Sequence, residues 1–214
     1  MLRQLYLSFL GYPISLALNV LSRLHKPFMV YGYFDRPSGR WRRNTRVSSS
    51  AVLGARERLS LADNVWIGHQ SVIDASNGVS IGEGTQLSPG VGLFSHGSET
   101  ALRLHGRDYI QIPAEERLGY TRGPINIGRY CYVGARSILL PGVTLGDGCL
   151  VSAGSIVTRS APPFSLLRGT PARIVGDVRA LDAPFWSDAA IRNSYFDPEA
   201  MCAYLDANGV PPLG

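Results

Sequence analysis

Of the side chains able to move protons near neutral pH, the chain offers four histidines: His25, His69, His96 and His105. Imidazole is the side chain whose unperturbed titration falls in that range, so it can act as a general base, pack structurally or ligate a metal. His96 lies in Leu93-Phe94-Ser95-His96-Gly97-Ser98-Glu99, where a long irregular segment begins. A histidine base also needs an acid or carbonyl to hold its tautomer. Asp74, one coil earlier near the column below His96, and Glu99 are candidates, a group from a neighbouring chain is a third, and the sequence alone leaves the choice open. The segment that follows carries Arg103, Arg107, Tyr109, Tyr120 and Arg122, suited to covering a substrate or reaching another subunit. Cys131 and Cys149 fall at small inward positions and read as packed thiols, neither a disulfide scaffold nor nucleophiles.

These residues hang on a repeat. Aliphatic side chains fall at Ile127, Val133, Leu139, Leu145, Val151 and Val157, every sixth position. Small or β-branched residues follow four positions later at Cys131, Ser137, Val143, Cys149 and Ser155, and glycine follows the aliphatic residue at Gly128, Gly134 and Gly146. A period of six fits neither a helix nor a lone strand. It fits a solenoid of short strands, each turning one large apolar residue inward.

This pattern resembles the hexapeptide-repeat acyltransferases, over roughly residues 47–175. The resemblance implies an all-β core, a left-handed parallel β-helix with three hexapeptides per triangular coil. It is similar in particular to the sugar O-acetyltransferases of that family, which place a histidine base just after a coil and before a loop, where His96 stands. The expected activity is acetyl-CoA-dependent O-acetylation of a saccharide hydroxyl. In that chemistry the imidazole takes the hydroxyl proton as the oxygen attacks the thioester, a backbone N–H stabilises the oxyanion, and the imidazolium protonates the departing thiolate. No acyl-enzyme is required. At eighteen residues per coil, Ala135 and Ala153 share a column that would leave a strip for an extended pantetheine chain. The resemblance assigns Ala135, Ala153, Thr158, Arg159 and Arg173 to acetyl-CoA binding. Thr-Arg and Gly-Thr-Pro-Ala-Arg stand where many members have Thr-Lys and Gly-Asn-Pro-Ala-Lys or -Arg, so a cation for the nucleotide phosphate is retained. Homotrimers with sites between coils are typical of such proteins, and no metal is expected.

Earlier aliphatic positions extend the register: Val47 and Leu53; then Leu61, Ile67 and Ile73; then Ile81, Leu87 and Leu93. The breaks after Leu53, Ile73 and Leu93 all fall at one corner if three turns make a coil. Two are short turns, and the third is the excursion 97–124. Trp66 and Tyr132 precede inward residues and are expected to face outward. The pattern ends at Ala161-Pro162-Pro163. The expected organisation is an N-terminal helical segment and basic loop (1–46), the β-helix (47–175) and a C-terminal cap (176–214). Ile14, Ala17, Leu18, Leu21 and Leu24 have helical spacing after Pro13, giving a helix packed on the end of the coil. The alternative is a helix on the inner membrane surface, with Arg3, Arg23 and Lys26 near headgroups. Residues 32–46 read as loop. The tail is expected to cap the coil, with a helix near Pro198 to Ala207.

With 214 residues, 45% hydrophobic and 17% charged, the chain is globular, and three cysteines suit a reducing cytoplasm. The net charge of +5 is concentrated at Arg36, Arg40, Arg42, Arg43 and Arg46, a solvated face or a surface for an anionic partner. No nucleic-acid-binding motif accompanies it. No span long enough for a bilayer and no signal peptide is expected. Competing readings are N-acetylation of an amino-sugar nucleotide, antibiotic acetylation, a non-catalytic scaffold, and a zinc-dependent γ-type carbonic anhydrase using His69, His96 and His105.

Overall fold

A computed structural model of the protein describes residues 8–24 and 26–209; Arg3, His25 and the side chain of Arg23 fall outside the described set. The expected left-handed parallel β-helix forms. Its strands run in chain order as β1 (Met29–Asp35), β2 (Arg40–Ser48), β3 (Val52–Gly54), β4 (Leu59–Leu61), β5 (Trp66–Ile67), β6 (Val72–Asp74), β7 (Val79–Ile81), β8 (Gln86–Leu87) and β9 (Gly92–Phe94). After the excursion come β10 (His96–Gly97) and β11 (Thr121–Arg122), then β12 (Ile125–Ile127), β13 (Tyr132–Val133), β14 (Ile138–Leu139), β15 (Thr144–Leu145), β16 (Leu150–Val151) and β17 (Ile156–Val157). The chain closes with β18 (Ser165–Gly169) and β19 (Ala172–Asp177).

Successive strands visit three sheets in turn. The first face stacks β2, β5, β8, β13, β16 and β18; the second stacks β3, β6, β9, β14 and β17; the third stacks β4, β7, β12 and β15. Every pairing between coils is parallel, for example Ile73 beside Leu93 and Leu139 beside Val157. The aliphatic columns turn inward and form one continuous buried core, with the small partners Cys131, Ser137, Val143, Cys149 and Ser155 buried beside them. Glycine after the aliphatic residue lets neighbouring coils touch. A Cβ at Gly134 would stand 2.8 Å from both the Ala153 Cα and the Val151 oxygen. Corners are turned by left-handed residues in columns: Asn64, Gly84, Tyr130 and Gly148 at one, and Gln70, Gly90, Arg136 and Gly154 at the next. All three insertions leave from the corner between the second and third faces.

The flanks differ from expectation. Residues 32–46 are not loop: β1 and β2 form an antiparallel hairpin, and β2 also pairs in parallel with β5. The first coil supplies a template edge, the turn Pro37-Ser38-Gly39 reverses the chain, and buried Asp35 accepts hydrogen bonds from the Leu61 N–H (3.1 Å) and Arg42 (3.3 Å). The arginines tolerate a strand because Arg40 and Arg43 point to water. Helix α1 (Gly11–Leu24) forms, but of the face expected to pack on the coil Ala17 and Leu21 are exposed, while the side chains of Leu18 and Leu24 lie outside the described residues; Tyr12, Leu16 and Val20, a stripe at i, i+4, i+8, are exposed as well. Among the described residues no helix is long and apolar enough to cross a membrane.

At the other end the coil outlasts its prolines. Ala161 bridges Leu145 and β18 pairs with β16, so Ala161, Leu167 and Ala172 close the core. The tail does include a helix at Pro198–Ala207, but it does not supply that closure. It builds its own small cluster of Trp186, Met201 and Leu205, and Phe196 packs against Tyr130 and Phe164 at a corner.

Candidate active site

His96 leaves the second face one position after buried Ser95, at the corner from which the excursion departs. Asp74 occupies the same corner one coil below, because β6 and β9 pair with Asp74 beside Phe94. This stacking brings the Asp74 Oδ2 to 2.6 Å from the His96 Nδ1. Between Asp74 and Glu99, the geometry therefore selects Asp74; the Glu99 side chain folds over Gly97, with Oε1 3.0 Å from where a Cβ would stand.

The carboxylate is itself held. Its Oδ1 accepts the Ser76 N–H (3.1 Å), and Oδ2 accepts the hydroxyls of Ser76 (3.1 Å) and Ser95 (3.2 Å). Burial alone would raise the Asp74 pKa. Hydrogen bonds from Ser76 and the adjacent His96 outweigh it, and the carboxyl lies below its ordinary range. An ionised Asp74 accepts the Nδ1 proton and so directs the lone pair of His96 to Nε2. That nitrogen makes no hydrogen bond among the described residues, and the side chain is 38% exposed. The arrangement is a base with its rear nitrogen fixed and its front nitrogen open.

Ser76 also lies 2.9 Å from Nδ1, a partner that sequence reasoning missed. The signal was legible: Asp74-Ala75-Ser76 has the spacing at which an Asp side chain bonds the backbone two residues on. Tyr120 was noted in the excursion without a role. The excursion returns through β11, whose Arg122 and Thr121 pair antiparallel with His96 and Gly97. Tyr120 is thereby laid flat on the imidazole, with ring centroids 5.6 Å apart and planes within 11°. Arg117 lies over Tyr109 (4.1 Å) and Tyr120 (5.8 Å), and Arg122 over Tyr120 (5.0 Å).

The residues expected to bind acetyl-CoA fall in two places. Ala135 and Ala153 do stack, joined by a hydrogen bond from the Gly154 N–H to the Ala135 oxygen (2.8 Å), at the corner between the first and second faces. Thr158 and Arg159 leave β17 at the corner of His96, and Arg159 and Arg173 line a cavity of about 210 Å³ with Ser160, Leu167, Ala172 and Ile174. The alanine column and the imidazole of one chain are thus separated by the whole second face. Its outward row, Val52, Val72, Gly92, Ile138 and Ile156, carries no charged side chain.

The remaining histidines stand apart. His69 Nδ1 pairs with the Ser48 hydroxyl (2.6 Å) at the corner between the first and second faces, and His105 belongs to helix α2 (Ala101–His105). Among the described residues no group of three or more His, Cys, Asp or Glu side chains is arranged to hold a metal. Trp66 and Tyr132 face outward as expected, and the Tyr132 hydroxyl accepts from Ser88 (2.8 Å).

Comparison with known proteins agrees with this architecture. Residues 124–159 match the family described as the hexapeptide repeat of succinyl-transferase. Galactoside O-acetyltransferase of Escherichia coli (strain K12) is 31% identical over 110 residues, 50% of this chain and 48% of that protein. Nodulation protein L of Rhizobium meliloti (strain 1021) is 34% identical over 119 residues, 55% and 59% of the respective chains. The chain thus spans about half the length of these curated relatives. The solved structure of AntD, an N-acyltransferase from Bacillus cereus in complex with dTDP and 3-hydroxybutyryl-CoA, superposes with a TM-score of 0.53 at 18% identity, over 66% of this chain and 86% of that one. Coil, corner and repeat define a hexapeptide-repeat β-helix. The chain is similar to hexapeptide-repeat proteins, and the relatives it matches include named acetyltransferases.

Proposed function

We propose that the protein is an acetyl-CoA-dependent O-acetyltransferase that acts on a saccharide hydroxyl through a direct ternary complex. The observation that carries this reading is the Asp74–His96 pair with Nε2 free. A hydroxyl is too weak an acid to ionise at neutral pH, so it needs a base at the moment of attack. His96 Nε2 removes the proton as the hydroxyl oxygen bonds to the thioester carbonyl carbon. The carbon–sulfur bond then breaks, and the imidazolium returns its proton to the thiolate, leaving ester and free CoA thiol. Asp74 stabilises the transient imidazolium and is not itself protonated. The alanine column gives the pantetheine chain an open strip of backbone, and Arg159 and Arg173 supply charge for the nucleotide phosphates.

Because the imidazole and the alanine column sit on different corners, a complete site takes the His96 corner of one copy and the alanine corner of another. The uncharged outward row of the second face, Val52, Val72, Gly92, Ile138 and Ile156, is suited to that contact, and a closed trimer of triangular prisms satisfies it. Light scattering that returned a monomer at working concentration would count against the shared site. The exposed stripe of α1 suits contact with a bilayer surface, for which vesicle flotation is the check. The central test is His96→Ala with acetyl-CoA and a panel of saccharides. Thiol release should fall by about 10²–10⁴-fold with the fold intact by circular dichroism, and turnover near wild type would remove His96 as the base.

A further inference from the structure

We propose that Arg122 is a specificity residue that binds an oxyanion, carboxylate or phosphate, carried by the acceptor saccharide. This rests on the reading of His96 as the base and narrows the acceptor class. Arg122 is the register partner of His96 across β10 and β11, which puts their Cα atoms about 5 Å apart. Its Nη2 donates to the Ala114 oxygen, while Nε and Nη1 have no partner among the described residues. Arg117 is spent differently: Nε donates to the Ile112 oxygen (2.9 Å) and Nη1 to the Tyr109 hydroxyl (3.2 Å), which braces the excursion. Neither guanidinium forms an ion pair among the described residues, and the ion pairs that do occur lie elsewhere or at Asp74.

At this corner Arg117 and Arg122 lie over Tyr120, the Asp74 carboxylate is committed to His96, and the Glu99 carboxylate, folded over Gly97, forms no ion pair with either guanidinium among the described residues. One face of Tyr120 is taken by the imidazole, so the platform holds the guanidinium in place rather than offering itself to a sugar ring. An acceptor whose hydroxyl reaches Nε2 passes beside the free edge of Arg122. The Nη2–H not given to Ala114 still shares an edge with Nε–H or Nη1–H, and such a pair of adjacent donors matches a carboxylate or phosphate edge. A neutral sugar leaves that charge without a counter-ion.

The test does not need turnover. Side-chain resonances of His96 and Tyr120 are followed by NMR at fixed pH and ionic strength, with inorganic phosphate and glucuronate titrated separately and methyl glucoside as the neutral control. Saturable shifts at His96 are expected with phosphate, glucuronate or both, and the stronger arm identifies the source of the charge. Arg122→Gln should weaken that binding at least about tenfold and Arg122→Lys less, while Arg40→Gln on the distant hairpin leaves it unchanged. The ligand-free His96 signals of Arg122→Lys should match wild type, which separates ligand binding from a bracing role. Absence of saturable shifts with either anion, equal shifts with methyl glucoside, or undiminished binding in Arg122→Gln would overturn the assignment. These outcomes hold whether or not acetyl transfer is detected.

Discussion

Replacing Asp74 with Asn probes the site most sharply, because it keeps the shape and removes the charge. The amide can sit two ways. The Ser76 N–H, 3.1 Å from Oδ1, must keep an acceptor, so the Asn oxygen stays there and its NH₂ faces His96 Nδ1. A donor at that point makes Nδ1 the acceptor and moves the imidazole proton to Nε2. The nitrogen that should take the acceptor proton then already holds one. The loss should resemble that of a triad whose carboxylate is made an amide, about 10²–10⁴-fold in kcat, or roughly 3–5 kcal/mol of barrier. Acetyl-CoA KM should change little, since Asp74 does not line the cavity of Arg159 and Arg173. Stability should fall by about 1–3 kcal/mol, as hydrogen bonds to a charged acceptor become neutral ones. Because the folded Asp74 pKa is lowered, its contribution is present above the ordinary carboxyl range near pH ~4 and is lost as pH falls through the lowered value. The stability gap between wild type and Asp74→Asn should therefore close in acid. Steady-state thiol release, denaturant melts across pH and the ¹⁵N shifts of the His96 ring are the measurements. A variant with wild-type kcat, or one whose proton stays on Nδ1, would refute the reasoning.

The cavity lined by Arg159 and Arg173 predicts a second result. Arg159→Gln with Arg173→Gln should raise KM for acetyl-CoA about tenfold or more and reduce its salt dependence, with kcat nearly unchanged; steady-state kinetics at two ionic strengths decide it. Gly134→Ala should cost about 1–3 kcal/mol or more, because its Cβ would meet the Ala153 backbone of the next coil, and a lowered thermal midpoint would register it.

Particular residues mark how far the sequence could be read. Leu53, Ile73 and Leu93 each precede a break in spacing, and this was enough to assign all three insertions to one corner. It was also enough to leave His96 at the mouth of the longest. The partner of His96 was legible only as a choice: the register puts Asp74 one coil below, near the column of His96, although it is twenty-two residues away, while Glu99 is only three. Nearness in sequence does not report which side chain lies directly below in the stack. Tyr120 escaped for the same reason, since it returns to His96 only through the antiparallel pairing of β10 with β11. The hairpin β1–β2 was missed because its arginines suggest loop, although Tyr33 and Asp35 alternate inward and Pro37-Ser38-Gly39 makes a turn.

The amino-acid order by itself fixes the coil, because a period of six is a local steric pattern: one large apolar residue inward, one small residue at the bend, and glycine where backbones touch. Tertiary structure alone decides what stands above, below and across. It pairs Asp74 with His96, stacks Tyr120 on the base with Arg122 over that tyrosine, and separates the imidazole from the alanine column by one side of the prism. In a solenoid those neighbours are set by stacking between coils, and each insertion changes the sequence distance between residues that touch.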